Sequence, residues 1–502
     1  MSANPILLKN GQVTPLADIP VVEFDDMRSY LIDAVKNGAK VSKFFGHQKS
    51  SGPVRIYAVL GLHDSHQIAV MAADVGDSYS SLTPECPQFH LFEREVYEQY
   101  GVKPEGHPWL KPVRFHKPYN GAKIDTPQIG VTEFFQVEGE EIHEVNVGPV
   151  HAGVIEPGCF RFQCHGEGVF HLEISLGYQH RGIEKAVMGG PHRVTLWQME
   201  TIAGDMTVGH TMAYCEALEA LSGTFVSDRA NAIRAIGLEI ERLTCHNTDL
   251  GALALDVGYL PVAMFCGKLR ADLLNSSAEI CGSRFSRSMV VPGGVGWDID
   301  PACLDRLSKK LKGAFEKISS AIGLIWDKPS MLTWFEGTGR VSMEDAIGVG
   351  LVGPTGRAAG IPRDVRIDFP TGAYVNHPIP IAVADSKPGD VYWRAMIRWM
   401  EMQRSYDFIM KMLDALPSGE VRNDEVKTLA PNSFVCTLVE GWRGETVHAV
   451  ITDDAGKFER YKIKDPSFHN WQGLSLALRG EEISHFPINN KSHNLSYCGY
   501  DL

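Results

Sequence analysis

Residues 118–130 read PYNGAKIDTPQIG. This stretch shows neither the alternation of a strand nor the recurrence of an amphipathic helix, and proline and glycine punctuate it. A chain interrupted in this way has to build its cores on either side of the break. At 502 residues it is also longer than one hydrophobic core sustains. Three segments are therefore expected: an α/β domain over 1–117, a connection over 118–140 and a larger domain over 141–502.

Ahead of the break, VRIYAVLGL (54–62) and HQIAVMAADV (66–75) read as paired strands, and FHLFEREVYEQYGV (89–102) as an amphipathic helix. Beyond it, strand signals occupy 143–177 and helical stripes follow. Met206, His210, Ala213, Ala217 and Leu221 form one stripe, and Ile233, Ile236, Ile240 and Leu243 a second. A third runs from Leu304 to Ile325 and a fourth from Met396 to Leu416. HAVITDDAGKFERYKIKD (448–465) reads as a hairpin around Asp454-Ala455-Gly456. The expected class is α+β: a small N-terminal α/β domain, then a large helical bundle with β-rich margins.

A formal charge of −13 argues against a nucleic-acid partner, because phosphate contact needs a basic face. The N-terminus lacks the cationic-then-apolar pattern of a signal peptide. GALALDVGYLPVAMFCG (251–267) is short of a membrane span and is interrupted by Asp256 and Pro261, so it is expected to be a buried helix and its turn. None of the ten cysteines falls in a CxxC. Cys159 and Cys164 lie in an expected strand and read as structural. Phosphate-loop, dinucleotide, HExxH and GxSxG motifs are all absent, and GPTGRAAG (353–360) reads as a tight turn.

Several segments resemble one superfamily. FEREVYEQYGVKPEGHPWL resembles the small hydrophilic subunit of respiratory complex I. GPVHAGVIEPGCFRF, HRGIEK, RAIGLEIERLTCHNTDLGALALDVG, GSRFSRSMVVPGGV, GPTGRAAGIPRDVR and DPSFHNWQGLSLALRG resemble its quinone-site subunit, whose relative is the large subunit of membrane-bound nickel–iron hydrogenases. The matches are colinear, and the fused arrangement is similar to hydrogenase-4 and formate hydrogenlyase large subunits.

The resemblance implies a peripheral subunit of a multi-subunit oxidoreductase on the inner face of the cell membrane. It would be held there by an iron–sulfur small subunit, a ferredoxin-like subunit and antiporter-like membrane subunits. It places the thiolate ligands of a nickel–iron centre at Ala203, Met206, Ser496 and Gly499, none of which is cysteine. Such a centre needs soft thiolate donors, so no metal is expected here, and iron–sulfur clusters belong to a partner. Quinone remains a candidate acceptor, although the headgroup histidine position falls on Ile155 and the tyrosine position on Gly204.

The polar residues carried over are Glu156, His180, Arg181, Glu184, Asp205, His210 and Arg357, with His151, Gly204 and Tyr214 as candidate quinone contacts. Glu156 reads either as a proton relay or as a solvated turn residue. His180, Arg181 and Glu184 fit an internal ion-pair network. Asp205 at a loop-to-helix junction reads equally as a helix cap, and His210 as a satisfied core residue. Two further readings stay open: a structural subunit without chemistry, and a working hydrogenase.

Overall fold

A computed structural model describes residues 4–49, 52–124, 128–151, 155–386, 389–423 and 427–502. Its first sheet is antiparallel, with strands in the order Ile6–Leu8, Gln67–Val75, Val54–Leu62 and Lys40–His47. The expected strand pair is its centre, in register from Val54 opposite Val75 to Leu62 opposite Gln67. The expected helix is His90–Tyr100, entered through the short turn Pro87–Phe89 and stopped by Gly101 at φ 75°.

The three strands Ile142–Val147, Cys159–His165 and Gly168–Ser175 form a second antiparallel sheet. Cys159 and Cys164 are buried in it as free thiols. A third sheet holds Ser433–Gly441, Gly444–Thr452 and Phe458–Lys464. Its hairpin turn is set by Asp453, whose Oδ1 accepts from the amides of Ala455 (2.9 Å) and Lys457 (2.7 Å). The two-residue strand Thr14–Pro15 completes this third sheet by pairing with Ser433 and Phe434. The beginning of the chain is thereby built into a sheet made from its last quarter.

In the chain between the second and third sheets comes a bundle of long helices: Thr207–Ser222, Asp228–Asp256, Leu260–Cys281, Pro301–Trp326 and Val391–Asp414. Apart from Met206 and Leu416, which fall just outside the helix ends, the four apolar stripes lie on these helices, and most of their residues belong to one large core. Local chemistry sets the starts. Ser227 accepts from the Ala230 amide, Asp300 from that of Cys303 and Asp390 from that of Trp393, satisfying donors that have no partner inside the helix.

Two local expectations are corrected. GPTGRAAG is not a turn: Gly353–Ala358 is helical, with Pro354 in its first turn, where a missing N–H costs nothing. The segment 251–267 is not buried throughout: it is the end of one helix and the start of the next, and Leu260 and Met264 are 54% and 72% exposed.

Charged side chains tie the layers together in the interior. Arg357, 1% exposed, donates to Glu401 at 2.5 Å and to Glu440 at 2.8 Å, joining a short helix, a bundle helix and a strand. Lys462 pairs with Glu184 at 2.6 Å and Glu95 at 2.9 Å, and Glu95 also meets Lys43 and Arg114. Buried charges of this kind are tolerable only when paired.

Candidate functional site

The helix Thr207–Ser222 begins where the loop 201–206 ends, as the run TIAGDMTVGHTMAYC suggests. Its N-terminal capping residue is Met206, which gives no side-chain bond. Asp205 is not the cap. Glu241, one helix away, fills that role, accepting from the amides of Val208 (2.8 Å) and Gly209 (3.3 Å). Burial pushes the Glu241 carboxyl up to about 8, against the pull of those two amides.

Asp205 instead takes both ends of the Arg443 guanidinium, at 2.6 and 2.7 Å. Arg443 also donates to the carbonyl of Asn494 and lies 3.9 Å from the centre of the Trp442 ring. The Trp442 indole N–H donates to the Asp205 carbonyl at 2.9 Å.

Gly204 separates two depressions. On one side is a cleft of about 450 Å3 lined by Glu156, Tyr178, His180, Arg181, Thr201 and Cys498. On the other is a narrower cavity of about 80 Å3 bordered by Asp205, Glu241, Cys245, Asp249, Arg270 and Trp442. A first side-chain carbon at Gly204 would meet nothing within 4 Å, so the wall between them is thin.

His180 donates from Nδ1 to the Asp501 carbonyl at 2.7 Å, and burial lowers its pKa, leaving the ring neutral at pH 7. Arg181 donates to the carbonyls of Thr201, Ile202 and Cys498. Burial, with Glu156 alongside, pushes the Cys498 thiol up to about 11. Glu184 faces inward and accepts from Lys462. His180, Arg181 and Glu184 therefore do not bond one another as expected; each reaches a different partner, because the helix Ile183–Ala186 begins only after the first two.

His210 sits behind this cleft, fully buried. Its Nε2 lies 3.0 Å from Asp465 Oδ2 and its Nδ1 3.1 Å from His448 Nε2, while His448 Nδ1 is 2.8 Å from the Tyr461 hydroxyl. One proton arrangement satisfies the series: Tyr461 donates to His448, His448 to His210 and His210 to an ionised Asp465. Burial opposes that charge, but the His210 bond and the Arg443 charge hold the Asp465 carboxyl below its usual range.

Tyr214 is buried in the core, its ring 6.4 Å from that of Tyr461, and is not a cleft residue. His151 bonds the Gly158 carbonyl at 2.9 Å and lines neither depression. Arg357 is absent from both depressions, being consumed by the interior carboxylates.

Models of two protein families match this chain. The respiratory-chain NADH dehydrogenase 30 Kd subunit covers residues 30–126, and the 49 Kd subunit covers residues 256–434. An NADH-quinone oxidoreductase subunit of Chloroherpeton thalassium is 30% identical over 377 residues, 70% of this chain and 85% of that one. The chain belongs to the complex I and group 4 hydrogenase superfamily.

Within that superfamily, formate hydrogenlyase subunit 5 of Escherichia coli is 29% identical over 90% of this chain and 83% of its own length. Hydrogenase-4 component G of the same organism is 28% identical over 88% and 80%. Both matched segments lie in one polypeptide, so the chain is a fused 30 Kd and 49 Kd type oxidoreductase subunit. Among the described residues no helix is long and apolar enough to cross a membrane.

The superfamily's hydrogenases imply a nickel–iron centre, and the residues here do not fit one. Ala203 and Met206 pack with Trp442 in a small buried cluster, and a side-chain carbon at Gly441 would come within 2.6 Å of the Met206 sulfur. Ser496 Oγ accepts from the Gly499 amide at 2.9 Å. A side-chain carbon at Gly499 would stand 2.6 Å from Asp465 Oδ2. A carboxylate and a thioether occupy the space that sulfur donors would need. Among the described residues, no three His, Cys, Asp or Glu side chains converge to hold a metal ion.

Proposed function

We propose that this chain is the redox-junction subunit of a membrane-associated complex. It would receive electrons from an iron–sulfur partner and couple their passage, with a quinone as the candidate acceptor, to proton movement. The observation that carries this reading is the cleft of Glu156, His180, Arg181 and Cys498 beside Gly204. It retains polar groups and open volume, whereas the sulfur positions next to it are filled. A protonated Cys498 can donate to a carbonyl headgroup, while His180, whose Nδ1–H is committed to the Asp501 carbonyl, offers Nε2 as an acceptor for the hydroxyl of the reduced form. The similarity to subunits of complex I, formate hydrogenlyase and hydrogenase-4 supports an iron–sulfur small subunit, a ferredoxin-like subunit and antiporter-like membrane subunits as partners. It also supports a position on the inner face of the membrane. In this reading residues 1–117 form one module, joined through 118–140 to the module over 141–502.

The test is to purify the complex through a tag on this chain and quantify its chains, metals and quinone. Iron in cluster stoichiometry, quinone retained and nickel absent is the expected result; stoichiometric nickel would overturn it. A structural role without turnover is favoured by one observation, the Asp205–Arg443 pair closing the inner side of Gly204. It would be adopted if Glu156→Gln and Cys498→Ser leave electron transfer through the complex unchanged.

A further inference from the structure

A larger cavity lies elsewhere, between the helix His90–Tyr100, the loop 108–115, the strand Gly168–Ser175 and the helix Ser467–Ala477. Its volume of about 790 Å3 falls within the roughly 300–1,000 Å3 of small-molecule sites. Much of its wall is apolar, including Leu91, Val113, Phe115, Trp471 and Leu476. Its charges are Arg94, Lys111 and Arg479 against a single carboxylate, Glu173. An excess of positive charge in a chain of formal charge −13 needs a reason.

Glu173 is already committed. It accepts from Lys111 Nζ at 2.6 Å, from the Trp109 indole at 3.2 Å and from the Phe135 amide at 2.7 Å. Arg94 has no carboxylate within ion-pair distance among the described residues. Its Nε donates to the Lys111 carbonyl (2.6 Å) and its Nη2 to the Pro112 carbonyl (2.8 Å), while Nη1 lies 3.2 Å from His90 Nε2. These contacts fix the guanidinium plane and leave one N–H free on each Nη atom. Burial pulls its pKa down, outweighing the more distant Glu173 and Glu98. A half-buried cation with no carboxylate in contact is favoured by an anion that completes it.

We propose that this cavity binds an amphipathic carboxylate, its head paired with the two free N–H groups of Arg94 and its apolar body against Trp471 and Leu476. Two donors on one planar fork match the two oxygens of a carboxylate, and the aromatic and aliphatic walls take a chain or ring. The occupant is a small molecule, and the proposal requires the cavity to stay open when partner subunits assemble on the chain.

The probe is decanoate, titrated calorimetrically into the full-length chain, with 1-decanol and acetate as controls. One saturable site, at least tenfold tighter for decanoate than for either control, is expected. Arg94→Met should weaken it at least tenfold. Leu476→Trp, which fills the cavity without altering charge, should do the same and keeps the test valid if the Arg94 variant does not fold. Equal binding of decanol, or wild-type affinity in both variants, would overturn the proposal. So would loss of decanoate binding in the assembled complex, which would assign the anion to a partner's carboxylate.

Discussion

Arg443 and Asp205 meet in a two-pronged ion pair across 238 positions of sequence. The pair is lopsided: the arginine side chain is 4% exposed and the aspartate 47%. Removing the aspartate strands a buried cation, whereas removing the arginine leaves a carboxylate that water can reach. Asp205→Ala should therefore cost about 3 kcal/mol and Arg443→Met nearer to about 1 kcal/mol. The double variant should be no worse than Asp205→Ala. Denaturant midpoints of the three proteins decide the matter.

Two glycines in the site should respond differently to the same added methyl. Gly499→Ala places it against Asp465 and Ser496 and should cost about 1–3 kcal/mol through overpacking. Gly204→Ala points into open space and should change stability by less than about 0.5 kcal/mol. Thermal midpoints measured side by side would contradict the geometry if the two variants behaved alike.

Cys498, with its pKa pushed up to about 11 by burial and by Glu156, is a neutral thiol at pH 7. Its alkylation by iodoacetamide, followed by peptide mass spectrometry, should be slow at neutral pH and rise towards a midpoint near that value. Glu156→Gln should shift the midpoint to lower pH. A rapid reaction at pH 7 in the wild-type chain would show the thiol to be less enclosed.

Glu241 is a carboxyl whose folded pKa, about 8, lies above its ordinary value of 4.5. Between those values the folded state holds a proton that the unfolded state has released, so the contribution of Glu241 to stability falls as pH rises. Its partly exposed side moderates the effect to about 1–2 kcal/mol. Glu241→Gln should flatten this part of the pH profile and be relatively more stable at pH 8 than at pH 5. A parallel profile for both proteins would refute the assignment.

Much of the architecture was legible in local pattern. Alternation located Val54–Leu62 and Gln67–Val75, and helical stripes located the bundle, because each periodicity reports a buried face directly. The site was less legible, because its decisive partners come from distant segments. Arg443 and Asp465 carry no motif; only the fold brings them to Asp205 and His210. Glu241 reaches the Val208 and Gly209 amides from another helix, so the local preference of aspartate for capping misdirected the reading of Asp205. Arg357 sits in a glycine-rich stretch, but burial among Glu401 and Glu440 makes it a structural cation.

The pairing of Thr14–Pro15 with Ser433–Phe434 has a consequence for assembly. Nicking the polypeptide between residues 118 and 130 would not set the two portions free, since an edge strand of one is stitched into the other. A ribosome that has released only the opening portion has made a ribbon whose partner edge does not yet exist. Completion of that sheet must wait for the final stretch of translation.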